Sequence, residues 1–427
     1  MITDNLIVYK NFKYQTLLSD LVYILESAEM DDITEEDKVL FSNSISCLID
    51  LAYEHGYSGN LWHAFLTFLL ANNENPYSMS CEIRGEIVGS INDAALHDFE
   101  IFKKLFDYDI AQCLKAYDLE GLSFILDFDG KDEAGRVFNR RVRDRILDLS
   151  KKLAEANSAQ EIKDLATEFY KDFGVGKFGL HKAFRVEHQD KVEITPITNI
   201  AHVYLDDLVG YESQKQRLIE NTEAFVNKKP CNNCLLYGEA GTGKSSSIKG
   251  ILNKYYDKGL RVIEVYKHQF IDLNDIIAQI KNRNYRFIIY MDDLSFEEFE
   301  VEYKYLKAVI EGGLEKKPEN VLIYATSNRR HLVKESFNDR NDYDEDLHSS
   351  DTKQEKMSLF SRFGVSIYFP SPEKKEFNTI VKELAKRHDI DMPEDELVLA
   401  ANKWEIAHGG LSGRTASQFI DYLRGTK

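Results

Sequence analysis

The sequence predicts an α/β chain in which a parallel sheet follows an all-helical N-terminal domain and is followed by a small helical appendage. Three observations predict it. Apolar residues recur at i, i+3/i+4 spacing from residue 12 to about residue 174, as in Leu17, Leu18, Leu21, Ile24 and Leu25, then Leu61, Phe65, Phe68 and Leu69. Five short apolar runs bounded by turns (234–237, 262–265, 287–290, 321–324 and 365–369) alternate with helical segments, the texture of strands buried on both faces of a parallel sheet. Three more helical stretches, about 373–387, 394–407 and 412–424, follow Pro370 and Pro372.

At 427 residues the chain has room for two or three domains, each with its own core. Its 5 cysteines (Cys47, Cys81, Cys113, Cys231 and Cys234) are an odd number spread along the chain, which fits a reducing compartment and excludes a small disulfide scaffold. No run of about 18 uncharged apolar residues occurs, and the first residues lack the basic-then-apolar order of a secretory signal. The expectation is a cytoplasmic protein with no membrane segment. The net charge of -18 is lopsided, with 21 basic and 35 acidic side chains in residues 1–200 and 33 and 37 in the rest. An acidic half repels phosphate backbones and anionic lipid surfaces, so nucleic acid is possible but not favoured as a partner.

Taken in order, the helical domain covers residues 1–177. Helix stops recur at His55-Gly56, Asn72 to Pro76, Asp129-Gly130 and Phe173-Gly174. The basic cluster Arg136, Arg140, Arg141, Arg143 and Arg145 lies on a helix with Asp144 and Asp148 and reads as a solvated face. Residues 178–205 form a linker, and within it residues 182–195 alternate apolar and polar around a turn, as a short hairpin does. A five-stranded parallel α/β core is expected over 206–370 and a helical lid over 371–427.

The strongest local signal is Gly238-Glu239-Ala240-Gly241-Thr242-Gly243-Lys244-Ser245, followed by Ser246, which fits G-x-x-x-x-G-K-[ST] at every fixed position. A strand leads in and a helix leads out, so loop N–H groups and the helix N-terminus can surround phosphate oxygens. Lys244 would then meet the β- and γ-phosphates of ATP, and the Ser245 hydroxyl would ligate Mg²⁺. Asp292 and Asp293 end the buried run 286–291, at the carboxyl end of a parallel strand where ligands bind. Asp292 is the expected metal-side carboxylate and Asp293 the group that polarises the attacking water. Cys231-Asn232-Asn233-Cys234 has C-x-x-C spacing, yet it enters a strand, and no second pair completes a zinc site.

These motifs resemble the AAA+ class of P-loop ATPases, and the resemblance extends to further residues. Asp206 to Tyr211 is similar to the segment that lines the adenine pocket. Asn328 matches sensor 1, which orients the lytic water, and Ser361-Arg362-Phe363-Gly364 resembles the arginine-finger box. Gly409 to Arg414 resembles sensor 2, which implies that Arg414 contacts the nucleotide. Over roughly residues 178–425, segments such as Leu294 to Glu298, Leu306 to Gly313 and Asn320 to Arg330 resemble a bacterial predicted-ATPase family known as domain of unknown function 815. One departure stands out, because the usual acid pair is Asp-Glu and Asp293 is one methylene shorter. Glu297 or Glu298 could take its place. Replication initiators of the same class share the Asp-Asp pair and the Ser-Arg-Phe box.

The resemblance implies ATP hydrolysis with Mg²⁺ that drives motion between core and lid, in a homo-oligomer where Arg362 serves a neighbour's nucleotide. The expected work is remodelling or regulation of an unidentified protein partner held by the acidic helical domain. Alternatives are an initiator- or helicase-loader-like ATPase acting on nucleic acid and a slow nucleotide switch with little turnover. The segment Tyr266 to Ile271 lacks the aromatic-apolar-Gly loop of threading unfoldases.

Overall fold

The computed structural model describes residues 1–130, 138–188, 190–200, 203–296, 302–311, 318–328 and 362–426. Arg136, Glu297, Glu298, Gly312, Gly313, Arg329, Arg330 and Ser361 lie outside these residues. The chain divides into two compact units, Met1–His181 and Lys182–Lys427.

The first unit, in its described residues, is built of helices: α1 (Gln15–Glu29), α2 (Glu35–His55), α3 (Leu61–Asn72), α4 (Pro76–Arg84), α5 (Ser90–Asp107), α6 (Ile110–Ala116), α7 (Arg140–Glu155), α8 (Ala159–Phe173) and α9 (Gly176–Leu180). Their boundaries follow local chemistry. Thr34 accepts the Asp37 N–H while the Asp37 carboxylate accepts the Thr34 N–H, so α2 opens with a capping box. It closes at Gly56 in the left-handed region, φ 73°. Asn75 caps α4 and Pro76 occupies its first position, where a missing N–H costs nothing. The apolar stripes read from the sequence, Leu17 to Leu25 and Leu61 to Leu69, are buried in one cluster with Phe99, Phe102, Ile146 and Tyr170.

The fully buried Asp98 clips the N-terminal segment to this cluster. Its carboxylate accepts N–H groups from Ile7 (2.8 Å), Val8 (2.7 Å) and Tyr9 (2.8 Å). Three amides balance the cost of burying one charge.

The second unit carries the sheet, with strands β1 (Ala183–His188), β2 (Val192–Pro196), β3 (Cys234–Gly238), β4 (Leu260–Glu264), β5 (Arg286–Met291), β6 (Val321–Ser327) and β7 (Val365–Phe369). The order is β2-β1-β4-β5-β6-β3-β7, all parallel except the β1–β2 pair. Among the described residues the sheet thus has seven strands, where a five-stranded core and a separate hairpin were expected. The hairpin is part of the sheet because Ala183 to Arg185 pair with Val262 to Glu264, which extends the ladder past β4. Helices α10 (Glu212–Val226), α11 (Lys244–Tyr255), α12 (Leu273–Ile280) and α13 (Glu302–Glu311) accompany the strands. Every residue of β5 and β6 is buried. The segment expected to form a lid consists of α14 (Lys374–Arg387), α15 (Glu394–Ala407) and α16 (Gly413–Gly425), packed around Phe377, Val381, Leu397, Ala401 and Phe419.

Asp98→Ala should destabilise the first unit by about 3 kcal/mol or more in urea unfolding, since three buried amides lose their acceptor, and Asp98→Asn, which keeps one carbonyl, should cost less. Equal stability of Asp98→Ala and wild type would show that the clip contributes nothing.

Candidate nucleotide site

Sheet order decides where the site forms. β3 leads into α11, then the chain crosses to β4 and returns through β5 and β6 before β7 adds on the far side of β3. The adjacent strands β3 and β6 send their connections in opposite directions, to β4 and to β7, and at such a switch point the crevice at the carboxyl ends of the strands takes the ligand. A cleft of about 660 Å³ lies there. Gly241 to Ser246 line its floor, Asp292, Asp293, Thr326 and Asn328 one wall, and Arg414, Ser417, Gln418 and Asp421 of α16 another. Leu208, Val209, Ile380 and Leu384 supply an apolar flank.

The loop takes its shape from two glycines. A Cβ on Gly238 (φ 133°) would stand 2.1 Å from the Phe369 carbonyl oxygen, and one on Gly241 (φ 73°) would stand 2.9 Å from the Arg414 Cβ. The close approach lets the Arg414 N–H donate to the Gly241 carbonyl at 3.1 Å, so lid and phosphate loop touch through backbone. Gly238, Glu239 and Ala240 do not line the cleft, and the Glu239 N–H donates to the Phe369 carbonyl at 3.0 Å. Gly243 caps α11, whose first-turn N–H groups have no partner within the helix and end at the cleft. The Lys244 ammonium donates to the carbonyls of Gly238 (2.9 Å) and Glu239 (2.6 Å). Burial lowers its pKa, and the carboxylates of Asp293, Glu239 and Asp292 oppose that shift.

The acid pair is held from three elements. Asp292 Oδ1 accepts the Ser245 hydroxyl (2.7 Å), the Thr326 hydroxyl and the Asp293 N–H (3.2 Å). Burial alone would raise the Asp292 pKa, but the Thr326, Tyr290 and Ser245 hydroxyls and the Asp293 N–H around it outweigh that and hold the carboxyl below its ordinary value. Asp293 has φ 49°, unusual for a side chain with a Cβ. Its N–H donates to Thr326 Oγ1 (2.9 Å), and Asn328 Nδ2 donates to its Oδ1 (2.8 Å). Ser245 and Asp292 set two hard oxygens side by side, a donor pair that would suit Mg²⁺.

Sequence reasoning missed Thr326, which reads as an ordinary β-former in a buried strand, and the α16 face Ser417, Gln418 and Asp421, which reads as solvated polar surface. Arg362 does not line the cleft, and its guanidinium pairs with Glu311 at the end of α13. The Cys234 thiol is fully buried and burial pushes its pKa up, the reverse of a redox pair. No group of three or more His, Cys, Asp or Glu side chains among the described residues could hold a metal.

Residues 179–427 match the family described as "Protein of unknown function (DUF815)". The chain belongs to the DUF815 family. This DUF815 chain is also 27% identical over 108 residues to the chaperone protein ClpB of Mycoplasma genitalium, a match over 21% of this chain and 15% of that one. The ClpB of Mycoplasma pneumoniae gives the same identity over 21% of this chain and 14% of its own. The DUF815 chain therefore spans about one seventh of the length of these curated relatives. Among solved structures it is similar to the Thermotoga maritima RuvB Holliday junction branch migration motor, at 17% identity and a TM-score of 0.37, over 52% of this chain and 64% of that one. A point variant of the same RuvB gives 17% identity and a TM-score of 0.38 over the same shares.

Thr326→Val removes the donor to Asp292 and the acceptor of the Asp293 amide together. The expected loss in urea unfolding is about 2 to 4 kcal/mol, against less than about 1 kcal/mol for Thr326→Ser, which keeps the hydroxyl. Equal losses for the two would mean that packing, not hydrogen bonding, is what the residue provides.

Proposed function

We propose that this chain is a Mg²⁺-dependent ATPase of the AAA+ type, and that nucleotide turnover moves its lid against its core to do work on a protein partner. The observation that carries the reading is the convergence of Lys244, Ser245, Asp292, Asp293, Asn328 and Arg414 on one cleft. Bound Mg²⁺, held through Ser245 and Asp292, would neutralise charge on the phosphates. The chain's own groups supply the rest. Lys244 exchanges its two loop carbonyls for phosphate oxygens. Asn328 anchors Asp293 through Oδ1, so the second carboxylate oxygen is left to orient a water for in-line attack. Arg414, at the start of α16, couples the lid to whatever occupies the loop. Arg362, outside the cleft, would serve the nucleotide of a neighbouring copy.

One observation favours a slower device, a nucleotide switch with little turnover. Asp293 is a short acid whose Oδ1 is already held by Asn328, so its reach toward a water is limited. The two readings share the site and differ in rate. Work on nucleic acid is less favoured, since residues 1–200 carry 21 basic against 35 acidic side chains.

Lys244→Ala should lose ATP affinity with an unchanged circular dichroism spectrum, whereas Asp293→Asn should keep ATP bound and slow its hydrolysis. Unchanged affinity in the first would remove the loop from the mechanism. In the second, turnover equal to wild type would pass the role of base to another acid.

Arg362→Ala should bind ATP normally and hydrolyse it about 10³-fold or more slowly, the usual weight of an arginine finger. Mixing it with Lys244→Ala protein should restore part of the activity, because one copy then offers an intact loop and the other an intact Arg362. A mixture no more active than its parts, with subunit exchange verified, would place Arg362 within its own chain.

A further inference from the structure

Helix α16 presents two different faces. Ala416, Phe419 and Ile420 are buried in the apolar cluster it shares with α14 and α15, whereas Arg414, Ser417, Gln418 and Asp421 line the cleft. The spacing i, i+3, i+4 and i+7 is a single stripe along a helix. The stripe is anchored at its first residue. The Arg414 N–H donates to the Gly241 carbonyl at 3.1 Å, and a Cβ on Gly241 would meet the Ser412 hydroxyl at 3.0 Å. That same hydroxyl caps the helix by accepting the Thr415 N–H at 3.0 Å.

The stripe therefore starts at the phosphate loop, and the helical rise fixes where it ends. Seven residues carry Asp421 about 10 Å further along the axis. That is about the span of a nucleoside diphosphate from its outer phosphate to its sugar.

A carboxylate accepts hydrogen bonds and donates none. Next to the phosphates it would repel the ligand, but beyond them the ribose offers two hydroxyl donors. The other acids of the cleft are engaged: Asp292 by Ser245 and Thr326, Asp293 by Asn328, and Asp207 by the Tyr204 N–H at 2.9 Å. Ser417 gives its hydroxyl to the Gly413 carbonyl at 3.1 Å. Asp421, its side chain 69% exposed, meets Arg424 of the same helix at 3.4 Å. Such a pair in water is weak and yields readily to a ligand.

We propose that Asp421 accepts hydrogen bonds from the ribose hydroxyls of the bound nucleotide and makes the site prefer ribonucleotides to their deoxy forms. The proposal rests on the reading that the cleft holds ATP and its product ADP. Arg414 then marks the phosphates and Asp421 the sugar, so one helix face reads two parts of the ligand.

The test measures binding of ADP, 2′,3′-dideoxy-ADP and inosine diphosphate by calorimetry, in the full chain, for wild type and Asp421→Ala. Wild type should bind ADP about tenfold more tightly than the dideoxy form, the low end for a hydrogen bond to a charged group. The variant should bind ADP about tenfold more weakly than wild type does, and the dideoxy form at least as tightly as wild type. Wild type that binds ADP without regard to the sugar would overturn the proposal and leave the nucleotide site standing. A sugar preference kept in the variant would give the hydroxyls to another group and overturn it. Equal losses for ADP and the dideoxy form would overturn it by showing that Asp421 only supports the helix. A variant that loses discrimination against inosine diphosphate, and not against the missing hydroxyls, would overturn it in favour of a contact to the base. Failure of wild type to bind any of the three would remove the nucleotide reading and the proposal with it.

Discussion

The site depends on one oxygen. Asp292 Oδ1 gathers a hydroxyl from α11, a hydroxyl from β6 and the amide of its own successor, so three stretches of chain far apart in sequence meet there. Sheet register makes the meeting possible. Met291 is paired with Ala325, so Asp292, just past the end of β5, comes to lie beside Thr326 of β6. β5 and β6 are buried throughout and leave the pair little freedom. A carboxylate in this setting stays ionised because it is well supplied with donors, and an ionised oxygen pointing at a phosphate loop is what a hydrated cation needs.

The second constraint is contact between lid and core. Besides the Arg414 amide on Gly241, the guanidinium of Arg387 in α14 donates to the carbonyls of Asp207 (2.8 Å) and Asp206 (3.0 Å). One contact touches the phosphate loop and the other the segment that precedes the cleft's apolar flank. A ligand that rearranges the loop therefore acts on a lid already bonded to it, which is how a local change in charge would become a movement.

Legibility in the sequence tracked how strongly spacing constrains chemistry. The phosphate loop was readable because G-x-x-x-x-G-K-[ST] demands fixed residues, Asp292 and Asp293 because they end a buried run, and Asn328 only through the resemblance to AAA+ ATPases. The helices of the first unit were readable from 3.6-residue periodicity and from stops such as His55-Gly56 and Phe173-Gly174, whereas the caps Thr34 and Asn75 emerged only in the structure. The place of the hairpin was not, because periodicity shows that a strand exists and not which distant strand it pairs with, here β4. Thr326 was hidden for a related reason: threonine is a good strand former, so its hydroxyl carries no signal until the register places it beside Asp292. The clip at Asp98 was equally silent, since an acid on a helix reads as surface.

The most direct test of the central claim is a crystal structure of the full chain with ADP and Mn²⁺, with the metal located by anomalous scattering. The account predicts a peak bonded to the Ser245 hydroxyl and beside Asp292, with the diphosphate against the amides of residues 241–245. A nucleotide bound outside this cleft, or a metal peak away from both side chains, would contradict it.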